Sequence, residues 1–394
     1  MNVTLKHWKE AATVILAAGT KHRAGGALKH GNVSASGSPH QSTFDFEVLL
    51  LKRSADSGFM PNAYVFPGGL VDSSDFSAAW LDVFKSFCSL PRFGLAPVRQ
   101  HAETRPPIFA TDRAKLGSSI PGEVALRICA LRETFEESGV LLAVPAAHVV
   151  GGLRDRARPP LAEAASLWDT QVLGKWRSLV TEDPLNFIRM CQELQCVPNI
   201  WALHEWSNWL TPSGARGSQR RYDTAFFMCC LREIPHTAQD QKEIVHFKWS
   251  TPLEVLHNYQ ARKIWIAPPQ FYELGRMYHF PLLQQLHTFA QERALEGCEQ
   301  WLPVRLVTAD SFMTLLPGDW LYPETLEQCE SSNVNRQTEK TLEELQPDGA
   351  ALHRIVFHDP HTATVVMNIT PRYKHLVPFL PPTSTGSTKI SSQL

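Results

Sequence analysis

The chain has 394 residues, 43% of them hydrophobic, and a formal net charge of −1. This length is enough for one large domain or two ordinary ones with buried cores. The near-neutral charge argues against a broad nucleic-acid or anionic-membrane surface, and no apolar run is long enough to span a bilayer. Eight cysteines occur without a Cys-x-x-Cys pair, which favours buried free thiols over zinc sites or a disulfide framework.

The first part of the chain predicts strands separated by loops. Apolar runs at residues 11–18 and 44–53 predict two strands, and residues 63–66 predict a brief third one. The following Pro67-Gly68-Gly69 predicts a sharp turn that brings backbone amides close to a ligand. Residues 72–121, which include a proline- and arginine-rich stretch, are interpreted as an insertion on one face of the domain.

Residues 125–140 predict a helix, because they contain no proline and their apolar residues recur at helical spacing. Gly139 stands where a helix C-cap is expected. Glu133, Glu136 and Glu137 fall on one side of this helix, at i, i+3 and i+4. Carboxylates this close repel one another unless a cation neutralises them, and oxygen-only ligands suit Mg²⁺ or Mn²⁺. We interpret the helix as a metal platform; a solvated acidic helix face is the alternative.

The rest of the chain mixes strands and helices without a regular β-α-β alternation, so we predict an α+β fold and not a doubly wound sheet. Further strands are predicted at residues 140–142, 200–210, 222–231, 244–249, 301–308 and 354–368. Further helices are predicted at residues 185–194, 252–259, 269–279 and 282–296. Residues 381–394 are rich in Ser and Thr and predict a disordered tail.

Gly68-Gly69, Glu123 and the stretch 132–140 together resemble the Nudix box, G-x₅-E-x₇-R-E-U-x-E-E-x-G-U. The helical half matches closely, except that Thr134 occupies the usual aliphatic position. The first half departs from the pattern, because a long segment separates the glycines from Glu123 and Glu123 lies one place too far from the arginine. The resemblance implies that the helical half binds the metal and leaves a role for Glu123 in doubt.

A box split in this way is similar to that of the acyl-coenzyme A diphosphatases of the Nudix motif 19 subfamily. Three later stretches resemble the same subfamily: residues 206–212, 220–227 and 247–256. The resemblance implies a Nudix fold, a mixed β-sheet sandwiched between helices. It implies the following organisation: a Nudix domain at residues 8–290, an insertion at 72–121 that splits the box, and a C-terminal extension at 291–380 packed on the domain.

The resemblance also implies an activity, the metal-dependent cleavage of coenzyme A and acyl-CoA esters to 3′,5′-ADP and (acyl-)4′-phosphopantetheine. Another nucleoside diphosphate derivative as substrate (a nucleotide sugar, a dinucleotide or capped RNA) is an alternative, and so is a Nudix module that senses a nucleotide without cleaving it. The motif that other coenzyme A Nudix hydrolases carry before the box is only partly present, since Asn62 replaces its glycine and Gly58 its arginine.

The predicted catalytic residues are Glu133, Glu136, Arg132 and Glu243, and the predicted metal ligands are Glu133, Glu136 and Glu137. One carboxylate must accept the proton of the attacking water. Glu243 is a candidate for this base or for an extra ligand, because Nudix enzymes often supply a late acid from this region; an ordinary solvated loop acid is the alternative. Arg132 is expected to fix the helix carboxylates from the side, as the family's arginine does.

Substrate contacts are expected from Arg53, Gly68 and Gly69, although a charged strand end without a ligand is the alternative for Arg53. We expect a monomer whose partner is a small molecule, coenzyme A or its esters, and not nucleic acid. The final Ser392-Gln393-Leu394 resembles the Ser-Lys-Leu peroxisomal signal. The subfamily is peroxisomal, so we expect recognition by a peroxisomal import receptor, with the cytoplasm or mitochondrion as alternative locations.

Overall fold

The computed structural model describes residues 8–20, 43–147, 160–165, 168–212, 221–240, 242–324 and 336–381. The strands are β1 (Lys9–Gly19), β2 (Phe46–Arg53), β3 (Tyr64–Val65), β4 (Gly68–Leu70), β5 (Ala143–Pro145), β6 (Cys196–Pro198), β7 (His204–Leu210), β8 (Tyr222–Leu231), β9 (Ile244–Ser250), β10 (Gln300–Trp301), β11 (Val304–Val307), β12 (Phe312–Leu315), β13 (Arg336–Gln337), β14 (His353–Asp359) and β15 (Thr362–Met367). The α-helices are α1 (Trp80–Val83), α2 (Pro107–Ala110), α3 (Gly122–Ser138), α4 (Thr170–Glu182), α5 (Asn186–Glu193), α6 (Pro252–Gln260), α7 (Pro268–Met277) and α8 (Leu283–Ala294). Across these ranges no helix is both long and apolar enough to cross a membrane.

β1 is the centre of a mixed sheet whose main path runs β10-β7-β8-β1-β2-β3. It pairs in parallel with β8 from Lys9 to Ala18. Its other edge pairs antiparallel with β2 near one end and with β4 near the other, and β9 pairs with β2. The predicted strands at 11–18, 44–53, 222–231 and 244–249 are confirmed, and so is the α+β class.

Alternate residues of β1 point to opposite faces of the sheet and join two cores. Val14 and Leu16 pack in the core that contains α3 and α5. Ile15 and Ala17 pack in a second core that contains α6, α7 and α8. The sheet therefore lies between helices on both faces, as expected for this fold class.

α3 begins directly after Pro121, whose backbone is extended, and ends at Gly139, which has a left-handed conformation with φ of 72°. This C-cap is the one predicted from sequence. The helix is enclosed almost all round: Arg132 is 2% exposed and Glu137 is 4% exposed. A solvated acidic helix face is therefore excluded as an account of this segment.

Residues 72–121 fold against α3 through short helical turns, which include α1 and α2. Trp80, Phe84 and Phe93 are buried in the same core as α3, and the Phe87 ring lies 4.4 Å from the Trp201 ring, centroid to centroid. The segment thus contributes core residues to the fold and is not only an addition to its surface.

The C-terminal part forms a second sheet with the order β13-β11-β12-β14-β15. One face carries Ile355 and Phe357, which pack in the core of α6 and α7. The opposite face packs with Leu210 of the first sheet and with Trp8, which directly precedes β1. The second sheet is therefore anchored on the central one through both of its faces.

Several sequence predictions differ from the structure. The predicted strand at 301–308 is divided at Pro303, which has no N–H to donate, into β10 of the central sheet and β11 of the second one. The predicted strand at 354–368 is a hairpin of β14 and β15, and the strand expected at 140–142 is replaced by β5. Helix α4 and strand β12 were not predicted. The described cysteines are unpaired, and all but Cys88 are buried.

Candidate active site

The end of α3 brings three carboxylates and one guanidinium together. Arg132 donates hydrogen bonds from Nη1 to Glu133 Oε1 at 2.8 Å and to Glu136 Oε1 at 2.7 Å. Glu137, one turn after Glu133, accepts a hydrogen bond at Oε2 from the backbone N–H of Gly68 at 2.9 Å. The cluster that the i, i+3, i+4 spacing predicts is therefore present on the folded helix.

Gly68 and Gly69 lie so close to their neighbours that neither position has room for a side chain. A Cβ at Gly68 would overlap Thr13, and its φ of 152° strains any other residue. A Cβ at Gly69 would overlap the carboxylate of Glu133. These glycines let β4 approach α3 closely enough to contact the acidic side chains.

The structure differs from the predicted turn at Pro67-Gly68-Gly69, while the predicted contact of the two glycines with a ligand stays a prediction. Both glycines belong to β4, because residues 68–70 pair with β1. The amide of Gly68 donates to Glu137, so it positions a carboxylate of the cluster.

Burial raises the pKa of all three carboxyl groups. It raises the pKa of Glu133 to about 7, although Arg132 opposes the rise and Glu136 adds to it. It raises the pKa of Glu136, again against Arg132. It raises the pKa of Glu137 far above the usual range, and Glu133 adds to this shift. Such crowded, desolvated carboxylates favour a bound cation, which would stabilise their ionised forms.

The chemistry of these residues fits a divalent ion. Glu133 and Glu136 each use one carboxylate oxygen for Arg132, and Glu137 uses one for Gly68. The other oxygen of each carboxylate accepts no hydrogen bond from the residues that the structure describes, which leaves three oxygen donors of the kind that Mg²⁺ and Mn²⁺ prefer. As the described side chains stand, no group of three or more Asp, Glu, His or Cys residues is arranged to hold a metal ion, so the three glutamates would have to turn their free oxygens toward a common point.

Asp75, which sequence reasoning missed, holds Arg132 from the other side. Arg132 donates from Nε to Asp75 Oδ1 at 2.9 Å and from Nη2 to Asp75 Oδ2 at 3.0 Å. Burial works against the charge on Arg132, but Asp75 and Glu133 outweigh it and hold the arginine pKa above its ordinary value. The only sequence signal is the Asp72-x-x-Asp75 spacing of a capping box, which the structure contains.

Arg53 and Glu243 form an ion pair beside the cluster. The distance between Arg53 Nη2 and Glu243 Oε1 is 2.6 Å, and Arg53 Nε also donates to the carbonyl of Phe59 at 2.9 Å. Half of the Glu243 side chain remains exposed, at 53%. The structure thus places the late acid and the strand-end arginine next to each other.

All eight predicted site residues line one cavity of about 960 Å³. They are Arg53, Gly68, Gly69, Arg132, Glu133, Glu136, Glu137 and Glu243. Trp209, Thr224 and Phe226 of the central sheet continue the wall, and Phe312 and Phe357 of the second sheet close it. The cavity is large enough for a cofactor-sized ligand, and its lining includes both charged and aromatic side chains.

Family comparisons agree with this architecture. A model described as the NUDT19 Nudix domain matches residues 8–277, and a model described as the NUDT19 C-terminal domain matches residues 305–368. The chain belongs to the NUDT19 Nudix family.

Three relatives carry the name acyl-coenzyme A diphosphatase NUDT19. The protein from Gallus gallus is 49% identical over 399 residues, which cover 100% of both chains. The protein from Xenopus laevis is 49% identical and covers 96% of this chain and 97% of its own length. The protein from Homo sapiens is 43% identical and covers 94% of each.

The glutamates in the helical half of the Nudix box line the cavity, but Glu123, which belongs to the first half of the box, does not. Glu123 lies in the first turn of α3, where Arg92 Nε donates to its Oε1 at 2.6 Å. Both Arg92 and Asp75 come from the segment that splits the box. That segment therefore neutralises Glu123 away from the cavity and supports Arg132 within it.

The stretch at residues 206–212, which resembles the subfamily, has a structural role in the wall of the cavity. The register of β7 shifts between Glu205 and Ser207, so Trp206 and Trp209 both face the second core. Their indole N–H groups donate to Glu273 of α7, at 2.7 Å and 2.8 Å. The irregularity fixes Trp209 as a wall of the cavity.

Proposed function

We propose that this chain is a metal-dependent pyrophosphohydrolase that cleaves the diphosphate of coenzyme A and acyl-CoA esters to 3′,5′-ADP and (acyl-)4′-phosphopantetheine. One observation carries the chemistry: Glu133, Glu136 and Glu137 line the cavity together, each with a carboxylate oxygen that no described residue binds. The names of the three vertebrate relatives support the choice of substrate.

In this proposal Glu133, Glu136 and Glu137 hold Mg²⁺ or Mn²⁺. When bound, the divalent ions neutralise the phosphoryl oxygens and lower the pKa of water for attack on the anhydride. The protein's contribution is to keep the carboxylates in place. Arg132 does this for Glu133 and Glu136, and the Gly68 amide does it for Glu137.

Glu243 is the proposed acceptor of the proton from the attacking water. It lines the same cavity, and it is more exposed than the buried helix carboxylates, so water reaches it directly. The ion pair with Arg53 holds its carboxylate at the edge of the site. Arg53 in turn remains a candidate contact for substrate phosphates, since its guanidinium is planar and forked.

Product analysis with Glu133→Gln and Glu137→Gln variants tests the proposal. Acyl-CoA, ADP-ribose and capped RNA are each incubated with the enzyme and Mg²⁺, and the products are separated by chromatography. We expect 3′,5′-ADP from acyl-CoA, and a loss of about 100-fold or more in kcat for both variants. Glu123→Gln is the matched control, because Glu123 is on the same helix but outside the cavity.

Two results would refute the proposal. Preferred turnover of ADP-ribose or capped RNA would change the substrate class, and tight nucleotide binding without turnover of any substrate would indicate a sensor. Wild-type rates in folded Glu133→Gln or Glu137→Gln would remove the ligand assignment.

We further propose that the protein is imported into peroxisomes through Ser392-Gln393-Leu394, which lies outside the described residues. The resemblance of this tripeptide to Ser-Lys-Leu supports the proposal. A fluorescent protein fused before this chain should colocalise with a peroxisomal marker, and a version without the last three residues should not. Identical distributions of the two fusions would contradict it.

A further inference from the structure

The second sheet contributes one face to the cavity. Arg305 of β11 is opposite Thr314 of β12, and Phe312 of β12 is opposite Phe357 of β14. Opposed residues in neighbouring strands share a face, and all four of these residues line the cavity that also contains the helix carboxylates. The cavity is therefore continuous from the acidic cluster to a face that carries an arginine and two aromatic rings.

Arg305 differs from the other cations of this cavity. Among the described lining residues, Arg53 is paired with Glu243 and Arg132 with Asp75, Glu133 and Glu136. Arg305 has no carboxylate partner in the described part of the chain, and its guanidinium lies over the Phe312 ring, 4.8 Å from the centroid. A guanidinium held on an aromatic face with its N–H groups available suits a phosphate.

Gln270 adds a second unused polar group to the same cavity. It belongs to α7, lines the cavity and is only 7% exposed. Its Oε1 is buried and has no hydrogen-bond partner, so turning the amide toward a ligand costs no existing bond at that oxygen. A side-chain amide offers the paired donor and acceptor that match the N6 and N7 edge of adenine.

We propose that this part of the cavity binds the adenosine 3′-phosphate half of the substrate, with Arg305 on the 3′-phosphate and Gln270 on the adenine edge. The inference depends on the proposed function. Apart from the diphosphate that is cleaved, the 3′-phosphate is the anionic group of coenzyme A, whereas the acyl-pantetheine arm offers Arg305 only neutral acceptors. The Phe312 ring stacks on Phe357 at 4.8 Å between centroids, and the two rings give this part of the cavity an apolar wall.

The test compares coenzyme A with 3′-dephospho-coenzyme A as substrates of Arg305→Gln. We expect the KM for coenzyme A to rise by about 10- to 100-fold, as for the loss of a charge-assisted hydrogen bond. The KM for 3′-dephospho-coenzyme A and both kcat values should stay within about twofold of the wild type, because the contact is remote from the bond that breaks. Gln270→Leu should raise both KM values alike, since both substrates contain adenine.

Arg372→Gln is the matched control, because Arg372 is an exposed arginine that pairs with Glu299 and does not line the cavity. Calorimetry with 3′,5′-ADP and 5′-AMP gives a readout that needs no turnover: the wild type should bind 3′,5′-ADP more tightly, and Arg305→Gln should abolish the difference. Because this binding measurement needs no turnover, it tests the proposed 3′-phosphate site even if the proposed hydrolytic activity is absent. For Arg305→Gln, equal KM changes for both substrates or no change for either would overturn the assignment of Arg305, and unequal changes in Gln270→Leu would overturn that of Gln270.

Discussion

Asp75 and Arg132 form a bidentate ion pair that joins the inserted segment to the acidic helix. Its two hydrogen bonds are 2.9 Å and 3.0 Å long, and both side chains are almost completely buried, at 1% and 2% exposure. A buried pair that loses one partner leaves an uncompensated charge. The segment that splits the box therefore supplies a residue, Asp75, that holds Arg132 in the site.

Asp75→Asn should impair both stability and activity. The asparagine keeps the shape of the side chain but removes the charge that balances Arg132, so we expect a loss of about 2 kcal/mol or more in the free energy of unfolding. We also expect at least a tenfold fall in kcat, since Arg132 would no longer hold Glu133 and Glu136 in place. Denaturant titration and steady-state kinetics measure the two effects.

Asp82→Asn is the control for this prediction, because Asp82 is an exposed residue of the same segment. It should match the wild type in both measurements. A folded Asp75→Asn variant with wild-type kinetics would show that the ion pair has no part in the reaction.

Gly69→Ala should displace Glu133 without unfolding the protein. The new Cβ would overlap the end of the Glu133 side chain, which is flexible and can turn aside. We expect the Mg²⁺ concentration for half-maximal activity to rise by about tenfold or more, with little change in melting temperature. Gly174→Ala, on exposed helix α4 with open space around it, should keep normal metal dependence; an unchanged metal requirement in Gly69→Ala would contradict the assigned contact.

Glu243→Gln tests the proposed base. Removing a general base lowers kcat by about 100- to 10,000-fold, and the amide still accepts the hydrogen bond from Arg53. The comparable exposed pair Glu163–Arg232 is outside the cavity, so Glu163→Gln should be neutral. If Glu243→Gln lowers kcat less than tenfold, the proton acceptor is one of the helix carboxylates.

His353 predicts a pH dependence of stability. Its Nε2 lies 2.8 Å from Tyr272 Oη and its Nδ1 2.7 Å from the Pro317 carbonyl, so Nδ1 carries the proton of a neutral ring. Burial lowers its pKa to about 4, despite the opposing carbonyl contact. Its stabilising contribution is therefore complete above about pH 6.5 and is lost toward pH 4, at about 1.4 kcal/mol per pH unit.

His353→Gln should accordingly flatten the fall in unfolding free energy between pH 6.5 and pH 4.5, as measured by denaturant titration at several pH values. The control is His358→Gln, an exposed position in the same strand, which should keep the wild-type slope. An unchanged slope in His353→Gln would show that other groups account for the acid sensitivity.

The acidic helix could be predicted because its signals are local. Apolar spacing, the absence of proline and the cap at Gly139 all occur within one short stretch, and the carboxylate spacing follows directly from the helix. Asp75 could not be predicted in the same way, since it lies 57 residues from Arg132 in sequence. The short strand β12 and helix α4 were missed because β12 has only four residues and α4 has just one fully buried residue, Val180.

The shape of the cavity depends on how the two sheets pack against each other. The spacing of apolar residues in the sequence does not predict this packing. Arg305 has no distinguishing sequence signal, because a single arginine in a short strand is ordinary. Its unusual property, the lack of a carboxylate partner, appears only when the chain is folded. The glycines of β4 show a related case: the sequence predicts a turn there, whereas residues 68–70 form a strand, because their pairing with β1 is long-range.

The parallel pairing of β1 with β8 has a consequence for biosynthesis. Lys9 is matched with Tyr222 and Ala18 with Leu231, so β1 acquires this neighbour only after the long segment between the two strands has been made. Such late closure makes folding slow and leaves an apolar edge open in the meantime. Nascent chains that end before β8 are therefore expected to be substrates for chaperones and proteases, because they lack the strand that pairs with β1.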